Sequence, residues 1–289
     1  IKLILNFKPT IIHFFLPEAY LFGSFCAFIT RQKCLVMSRR SMNHYQKKYP
    51  FLGIVERNLH KKMSVVLANS NAVKRNLEEE GMNGKDIKVI YNGIKLEAYD
   101  QFVHTKTEIR KKLNIRKNSL VLIMIANLIG YKGHENLLNS LAKIKNQLPK
   151  EWNLICVGRD DGILNQLKKN TTMMGLGQNV IWIDSCKEVS SFLNASDIGI
   201  LCSHEEGFSN SILEGMAAKL PMIVTSVGGN AEAIVNNENG LVVPAKDEDR
   251  LGQAILKLSN NKDLRTSFGN RGHQRVSKLF TLERCINDY

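Results

Sequence analysis

The sequence predicts an α/β fold made of doubly wound parallel sheets. Three observations predict it. From Ser119 onward, short apolar runs alternate with longer stretches of helical periodicity, the pattern of repeated βαβ units. Glycine turns follow the apolar runs, at Gly133, Gly158 and Gly228-Gly229, where strand-to-helix connections need tight backbone. The segment E-G-F-S-N-S-I-L-E-G-M-A (206–217) sets a loop and then a helix start immediately after the apolar run 198–202.

Taken in order, residues 1–7 read as the end of a helix and 11–15 as a buried strand, followed by a helix over about 18–30. Strands are expected at 34–38, 65–69 and 87–91. A helix is expected over 71–81, with Ser70 as N-cap and Gly81 as C-cap, and Asn92-Gly93 as a turn. The aperiodic stretch 96–107 reads as a linker between domains. Six strands are then expected, at about 120–126, 153–157, 180–184, 198–202, 222–225 and 241–243, with helices over 247–260, 262–273 and 281–289 closing the chain. At 289 residues there is room for two modest domains.

Composition narrows the partners. The chain carries 40 Lys+Arg against 27 Asp+Glu, a net +13, and the excess is local. Nine basic residues fall between Arg31 and Lys62, and Glu56 is the only acidic residue between Ala19 and Leu77. Such a region suits an anionic membrane surface or an anionic substrate, or is simply a solvated basic face. No helix-turn-helix, zinc-finger or RNA-binding pattern accompanies it, so nucleic acid is not an expected partner. The six cysteines are scattered without a C-x-x-C pair and read as free thiols in a reducing compartment. The most apolar stretch, 11–30, is broken by His13, Pro17 and Glu18 and does not read as a membrane span.

Several segments together resemble the retaining nucleotide-sugar glycosyltransferases of family 4. They are L-P-E-A-Y (16–20), S-R-R-S (38–41), L-A-N-S-N-A-V (67–73), V-I-Y-N-G-I (89–94), Y-K-G-H (131–134), A-S-D-I (195–198), the 206–214 run, 220–232 and G-L-V-V-P (240–244). Their joint order carries the resemblance, which extends from about residue 11 to the end. It implies the GT-B architecture of two Rossmann-like doubly wound domains. These would be an incomplete N-terminal acceptor-side domain (1–105), a donor-binding domain (106–275) and a C-terminal helix (276–289) crossing back toward the first. By analogy with a domain of ~150 residues, about 80 residues of the N-terminal domain would be absent. The strand at 11–15 would then lack neighbours, and self-association through residues 1–100 is expected.

The resemblance also implies site roles. Lys132 corresponds to the lysine of a basic pair on the donor diphosphate. The paired arginine position is Asn127, a departure that removes one cation, for which Arg159, Arg39 or Arg40 would have to compensate. Glu214 resembles the glutamate that accepts the ribose hydroxyls, and Glu206 the residue that orients the donor sugar. Each has a plainer alternative, as a solvated turn lysine, a helix-dipole carboxylate and a surface loop carboxylate respectively. Phe208, Ser209 and Asn210 lie at a helix start that favours an anion, and Gly228 and Gly229 permit close backbone approach. Gly158 and Ser185 are placed by position near the base. His13, Glu18, Arg39 and Arg40 are acceptor-side candidates, with His13 equally readable as a core histidine. Asp160-Asp161 lacks the spacing of a D-x-D metal motif, so no metal and no cofactor are expected beyond a UDP- or GDP-sugar donor. The implied activity is retaining transfer to a saccharide or lipid-linked acceptor in cell-surface glycan assembly. Its implied place is cytoplasmic, peripheral to the inner face of the plasma membrane. A non-catalytic nucleotide-sugar-binding remnant, or a GT-B phosphorylase, are the alternatives.

Overall fold

The structure is a computed structural model and describes residues 1–42, 45–82, 86–99 and 104–289, without the side chains of Tyr45 and Lys47. The chain divides into two compact units. The first comprises residues 1–91 with 206–208 and 288–289, and the second 92–205 with 209–287.

The first unit holds a four-stranded parallel sheet in the order β1-β2-β3-β4. Its strands are β1 (Ile12–Phe14), β2 (Leu35–Arg39), β3 (Val65–Ala68) and β4 (Ile87–Val89). Register is set by Ile12↔Leu35, Val36↔Val65 and Val66↔Ile87. The core gathers Phe14, Leu35, Met37, Val66, Val73, Leu77 and Ile87 around Tyr20 and Ala27. Ser70 caps the helix Asn71–Leu77 by accepting from Val73 N at 3.1 Å. Beyond Leu77 the expected helix widens into a π-turn, Glu78–Met82, that breaks at Gly81 (φ 96°). Two further helices, Tyr45–Lys48 and Pro50–His60, form in a stretch for which no element was expected.

This unit displays much apolar surface. The helix Lys2–Phe7 buries no residue, with Leu3 at 70% and Phe7 at 78% exposure. On the helix Pro17–Ile29, Phe22, Phe25 and Ile29 stand on one face and are also exposed. Patches of that kind associate in water. Concentration-dependent association in sedimentation velocity is therefore expected, and Phe22→Glu with Phe25→Glu should suppress it. A parent protein that stays monomeric across the concentration range would contradict this.

The second unit is a six-stranded parallel sheet in the order β10-β9-β8-β5-β6-β7. Its strands are β5 (Leu120–Ile125), β6 (Trp152–Val157), β7 (Val180–Ile183), β8 (Ile198–Leu201), β9 (Met222–Thr225) and β10 (Gly240–Val243). Strand order reverses between β5 and β8, which pair through Leu122↔Ile198 and Ile123↔Gly199. The apolar run L-V-L-I-M-I of β5 is buried along nearly its whole length, as a central parallel strand covered on both faces must be.

The stretch expected as a linker is partly structured. Residues 96–99 form a 3₁₀ turn, while residues 100–103 lie outside the described residues. Thr105 and Glu108 form a capping box that starts the helix Lys106–Lys112. That helix is fixed by Asp197 of the A-S-D-I segment, which takes Lys106 Nζ at 2.9 Å, Arg110 Nη2 at 2.8 Å and Val121 N at 2.9 Å. Residues 92–99 group with the second unit, and Ile94 bridges Thr281. The helix expected to end near 273 runs over Lys262–Leu279, and a last helix spans Leu282–Asp288. Among the described residues no helix is long and apolar enough to cross a membrane.

Candidate functional site

The switch point between β5 and β8 organises the second unit. In open α/β sheets the crevice beyond the carboxyl ends of the strands at such a point receives ligands. Here the loops leaving β5, β8 and β9 are joined there. Cys202 Sγ donates to Gly133 O at 3.1 Å, His204 N donates to Tyr131 O at 2.7 Å, and Thr225 Oγ1 donates to Ser203 O at 2.6 Å. Gly133 makes the first junction possible. It sits at φ 80°, and a Cβ there would lie 2.1 Å from Cys202 O.

Three helices begin at these loops. The helix His134–Ile144 follows Lys132, whose ammonium stands 5.2 Å from the Tyr131 ring centroid. The helix Asn210–Ala217 has Ser209 at its N-cap position, but the hydroxyl does not cap it and pairs with Ser211 Oγ at 3.0 Å. Asn210 Oδ1 accepts from Asn92 Nδ2 at 2.8 Å. The short helix Asn230–Ala233 follows Gly228 (φ 50°) and Gly229. Each start presents backbone N–H groups that the helix itself cannot satisfy, a setting that favours anionic oxygen.

Glu214 lies in the second turn of the Asn210–Ala217 helix, half-buried, and burial raises its pKa. The Tyr99 hydroxyl is shifted upward by burial and by the Glu214 charge, so it remains a phenol at neutral pH. Tyr99 belonged to the expected linker, and nothing in the sequence marked it as a neighbour of Glu214.

At the β6 end, Gly158 is pressed against the β5 exit, where a Cβ would lie 2.1 Å from Ala126 O. Asn127 is exposed beside it. Arg159, a possible substitute cation, is paired with Asp161 at 2.8 Å. Asp160 accepts from the amides of Gly162, Ile163 and Leu164 and so shapes the turn into the helix Leu164–Met173. Ser185 is exposed, its N–H donating to Asp184 Oδ1 at 2.6 Å.

Glu206, Gly207 and Phe208 group with the first unit. Glu206 is half-buried, whereas Phe208 is buried with its ring 5.0 Å from that of Tyr91. A Cβ on Gly207 would lie 2.2 Å from Arg40 O.

The first unit also holds a recess of about 160 Å³ beyond the ends of β1 and β2. Phe14, Phe15, Leu16 and Met37 form its apolar wall, and Arg39, Arg40 and Ser41 lie on its polar side. Arg40 is exposed. Arg39 is 4% exposed and forked onto Glu80, through Nη1 at 2.7 Å and Nη2 at 2.9 Å. His13 Nε2 is 2.7 Å from Ser38 Oγ, and burial lowers the His13 pKa. Glu18 is exposed in the first turn of the Pro17–Ile29 helix, where a carboxylate complements the dipole.

One convergence was not visible in sequence spacing. Single ligand atoms of Glu56, His60 and Glu80 lie within 4.8 Å of one another, an arrangement able to hold a metal ion. The Arg39 guanidinium already stands among them, with Nη2 3.1 Å from His60 Nε2 and 3.7 Å from Glu56 Oε2. A fixed cation in that position disfavours a second one.

Two parallel-sheet units, one with its loops gathered at a switch point, define a protein of the GT-B class. Within it, the chain belongs to the group 1 glycosyl transferases. The family described as "Glycosyl transferases group 1" matches residues 105–275, and "Glycosyltransferase Family 4" matches residues 1–98. The chain is 27% identical over 225 residues to N-acetyl-alpha-D-glucosaminyl L-malate synthase of Bacillus anthracis, covering 78% of this chain but 58% of that protein. It is 26% identical over 295 residues to the capsular polysaccharide biosynthesis glycosyltransferase CapM of Staphylococcus aureus, covering 97% of this chain and 76% of that one. In structure it is similar to Anabaena HepE in complex with UDP and glucose. The TM-score is 0.90 at 22% identity, over 99% of this chain and 77% of that one.

Proposed function

We propose that the chain carries out retaining transfer of a sugar from a UDP- or GDP-sugar to a saccharide or lipid-linked acceptor, in cell-surface glycan assembly. The observation that carries the reading is the joining of the β5, β8 and β9 exits, which gathers Lys132 and three helix N-termini at one switch point. Departure of a nucleoside diphosphate develops negative charge, and fixed dipoles with one ammonium are suited to stabilise it. Glu214 offers two acceptor oxygens to a vicinal ribose diol. Glu206 orients the donor sugar. Attack from the same face as the leaving group, with the departing phosphate taking the acceptor proton, retains configuration and needs no carboxylate nucleophile. The recess of the first unit, with Arg40, His13 and Glu18 nearby in sequence, serves the acceptor. The HepE structures with UDP and with UDP-glucose support a nucleotide-sugar donor, and CapM supports a role in polysaccharide assembly. The basic stretch 31–62 suits an anionic membrane surface on the cytoplasmic side.

Lys132→Ala and Glu214→Ala are each expected to weaken nucleotide binding by about 1–3 kcal/mol, the range for hydrogen bonds to charged groups. Glu206→Ala is expected to lower turnover far more than nucleotide affinity. Calorimetric titration alongside a sugar-transfer assay separates the two effects. If Lys132→Ala binds UDP and GDP as tightly as the parent, the diphosphate site is misplaced.

A second reading is favoured by one observation. Asn127 stands where the resemblance implies an arginine, and Arg159 is already paired with Asp161. A protein that binds a nucleotide sugar without transferring it would show normal affinity and no turnover in the same two assays.

A further inference from the structure

His134 is 2% exposed, and neither ring nitrogen has a hydrogen-bond partner. A buried polar ring left unpaired costs free energy that an apolar side chain of similar size would avoid. A polar side chain at such a position therefore points to something that pairs with it.

Its place in the fold indicates what that is. His134 opens the helix that follows β5, directly after the Gly133 junction with Cys202 at the end of β8. It thus lies at the strand-order reversal. Lys132, two residues earlier, is close enough to act on it electrostatically. Burial first, and then the Lys132 charge, hold its pKa down at about 4, so the ring is neutral at physiological pH. A neutral imidazole has one N–H to give and one lone pair. It can donate to a phosphate oxygen without adding a second buried charge beside Lys132. The helix N-terminus around it favours the same kind of ligand.

We infer that His134 is a binding residue for the diphosphate of the nucleotide donor, its unspent ring N–H completing a shell begun by Lys132 and the first-turn amides of the helix His134–Ile144. The inference rests on the donor-binding reading above and adds a residue to it.

The test is calorimetric titration of UDP and GDP into the parent, His134→Leu and His134→Gln, with thermal unfolding of each. The Leu variant should unfold at the parent's temperature or above, because an unpaired polar ring has been removed, yet bind the preferred diphosphate about tenfold more weakly. The Gln variant, which keeps an N–H donor, should stay within about threefold. A Leu variant that binds like the parent overturns the inference and leaves the donor site standing. A folded parent that binds neither diphosphate overturns the donor-binding reading and the inference together. If His134→Leu does not fold, the ring ¹⁵N–¹H signal of His134 in the parent decides. A shift on saturation with the diphosphate supports the contact, and an unchanged signal removes it.

Discussion

Alanine in place of Gly133 should destabilise the second unit by about 2–5 kcal/mol. Two costs add. The residue sits at φ 80°, where a Cβ costs roughly 1–2 kcal/mol. That Cβ would also lie 2.1 Å from Cys202 O, 3.0 Å from Cys202 C and 3.3 Å from Cys202 Sγ. Backbone on both sides leaves no flexible side chain to yield, and overpacking of this kind costs about 1–3 kcal/mol. Relief requires the β5 and β8 exits to separate, which moves Lys132 and His134 as well. Amide hydrogen exchange in β5 and β8 reads the stability of this unit separately from the first. Gly130→Ala is the control, since nothing lies within 4 Å of a Cβ there. Loss of protection under 1 kcal/mol in Gly133→Ala would show that the junction is not as tight as its geometry.

Arg39→Met should cost the first unit about 3–5 kcal/mol, the range for breaking a buried ion pair from one side. The substitution leaves Glu80 and Glu56 without the guanidinium between them. Tyr20 Oη, 2.8 Å from His60 Nδ1, and Gln46, bonded to Glu56, extend the network. Lysine should not rescue it, because its point charge cannot reproduce the two parallel bonds to Glu80. The same network predicts an acid limit. Burial alone would raise the Glu80 pKa, but hydrogen bonds from His60 and Arg39 overcome it and hold the carboxyl at about 2. A folded pKa below the unfolded one contributes stability above the unfolded value, near 4.5, that disappears as pH falls toward 2. That contribution is about 3 kcal/mol. Urea denaturation from pH 6 to pH 2, followed by first-unit amides, should show the loss, and Glu80→Gln should flatten it. An equal acid slope in the parent and Glu80→Gln would contradict the assignment.

The sheets were legible because their strands are short apolar runs between turn residues. Every described strand falls within a residue or two of its expected span, and Ser70 caps its helix as its position suggested. Hydrophobic periodicity failed where the buried face is polar. The helix Pro50–His60 turns Gly53, Glu56 and His60 inward, so its pattern resembles a solvated basic segment. The Arg39 network was illegible because its members are separated by up to 41 positions, and the segments S-R-R-S and L-P-E-A-Y that hold Arg39 and Tyr20 carry no sign of Glu56, His60 or Glu80. The positions of Lys132, Glu214 and the glycine turns at strand exits and helix starts were readable from their order along the chain. His134 stands in the Y-K-G-H segment, but the burial of its ring has no signature in the sequence. Tyr99 was hidden in a stretch without periodicity.

The central claim is that the switch point of the second unit binds a nucleoside diphosphate. Titrating UDP, GDP and ADP into the folded chain while following thermal unfolding tests it most directly. One diphosphate at about 100 times its dissociation constant should add about 2.7 kcal/mol of stability, with the other two far behind. A folded sample whose unfolding none of the three displaces would contradict the claim.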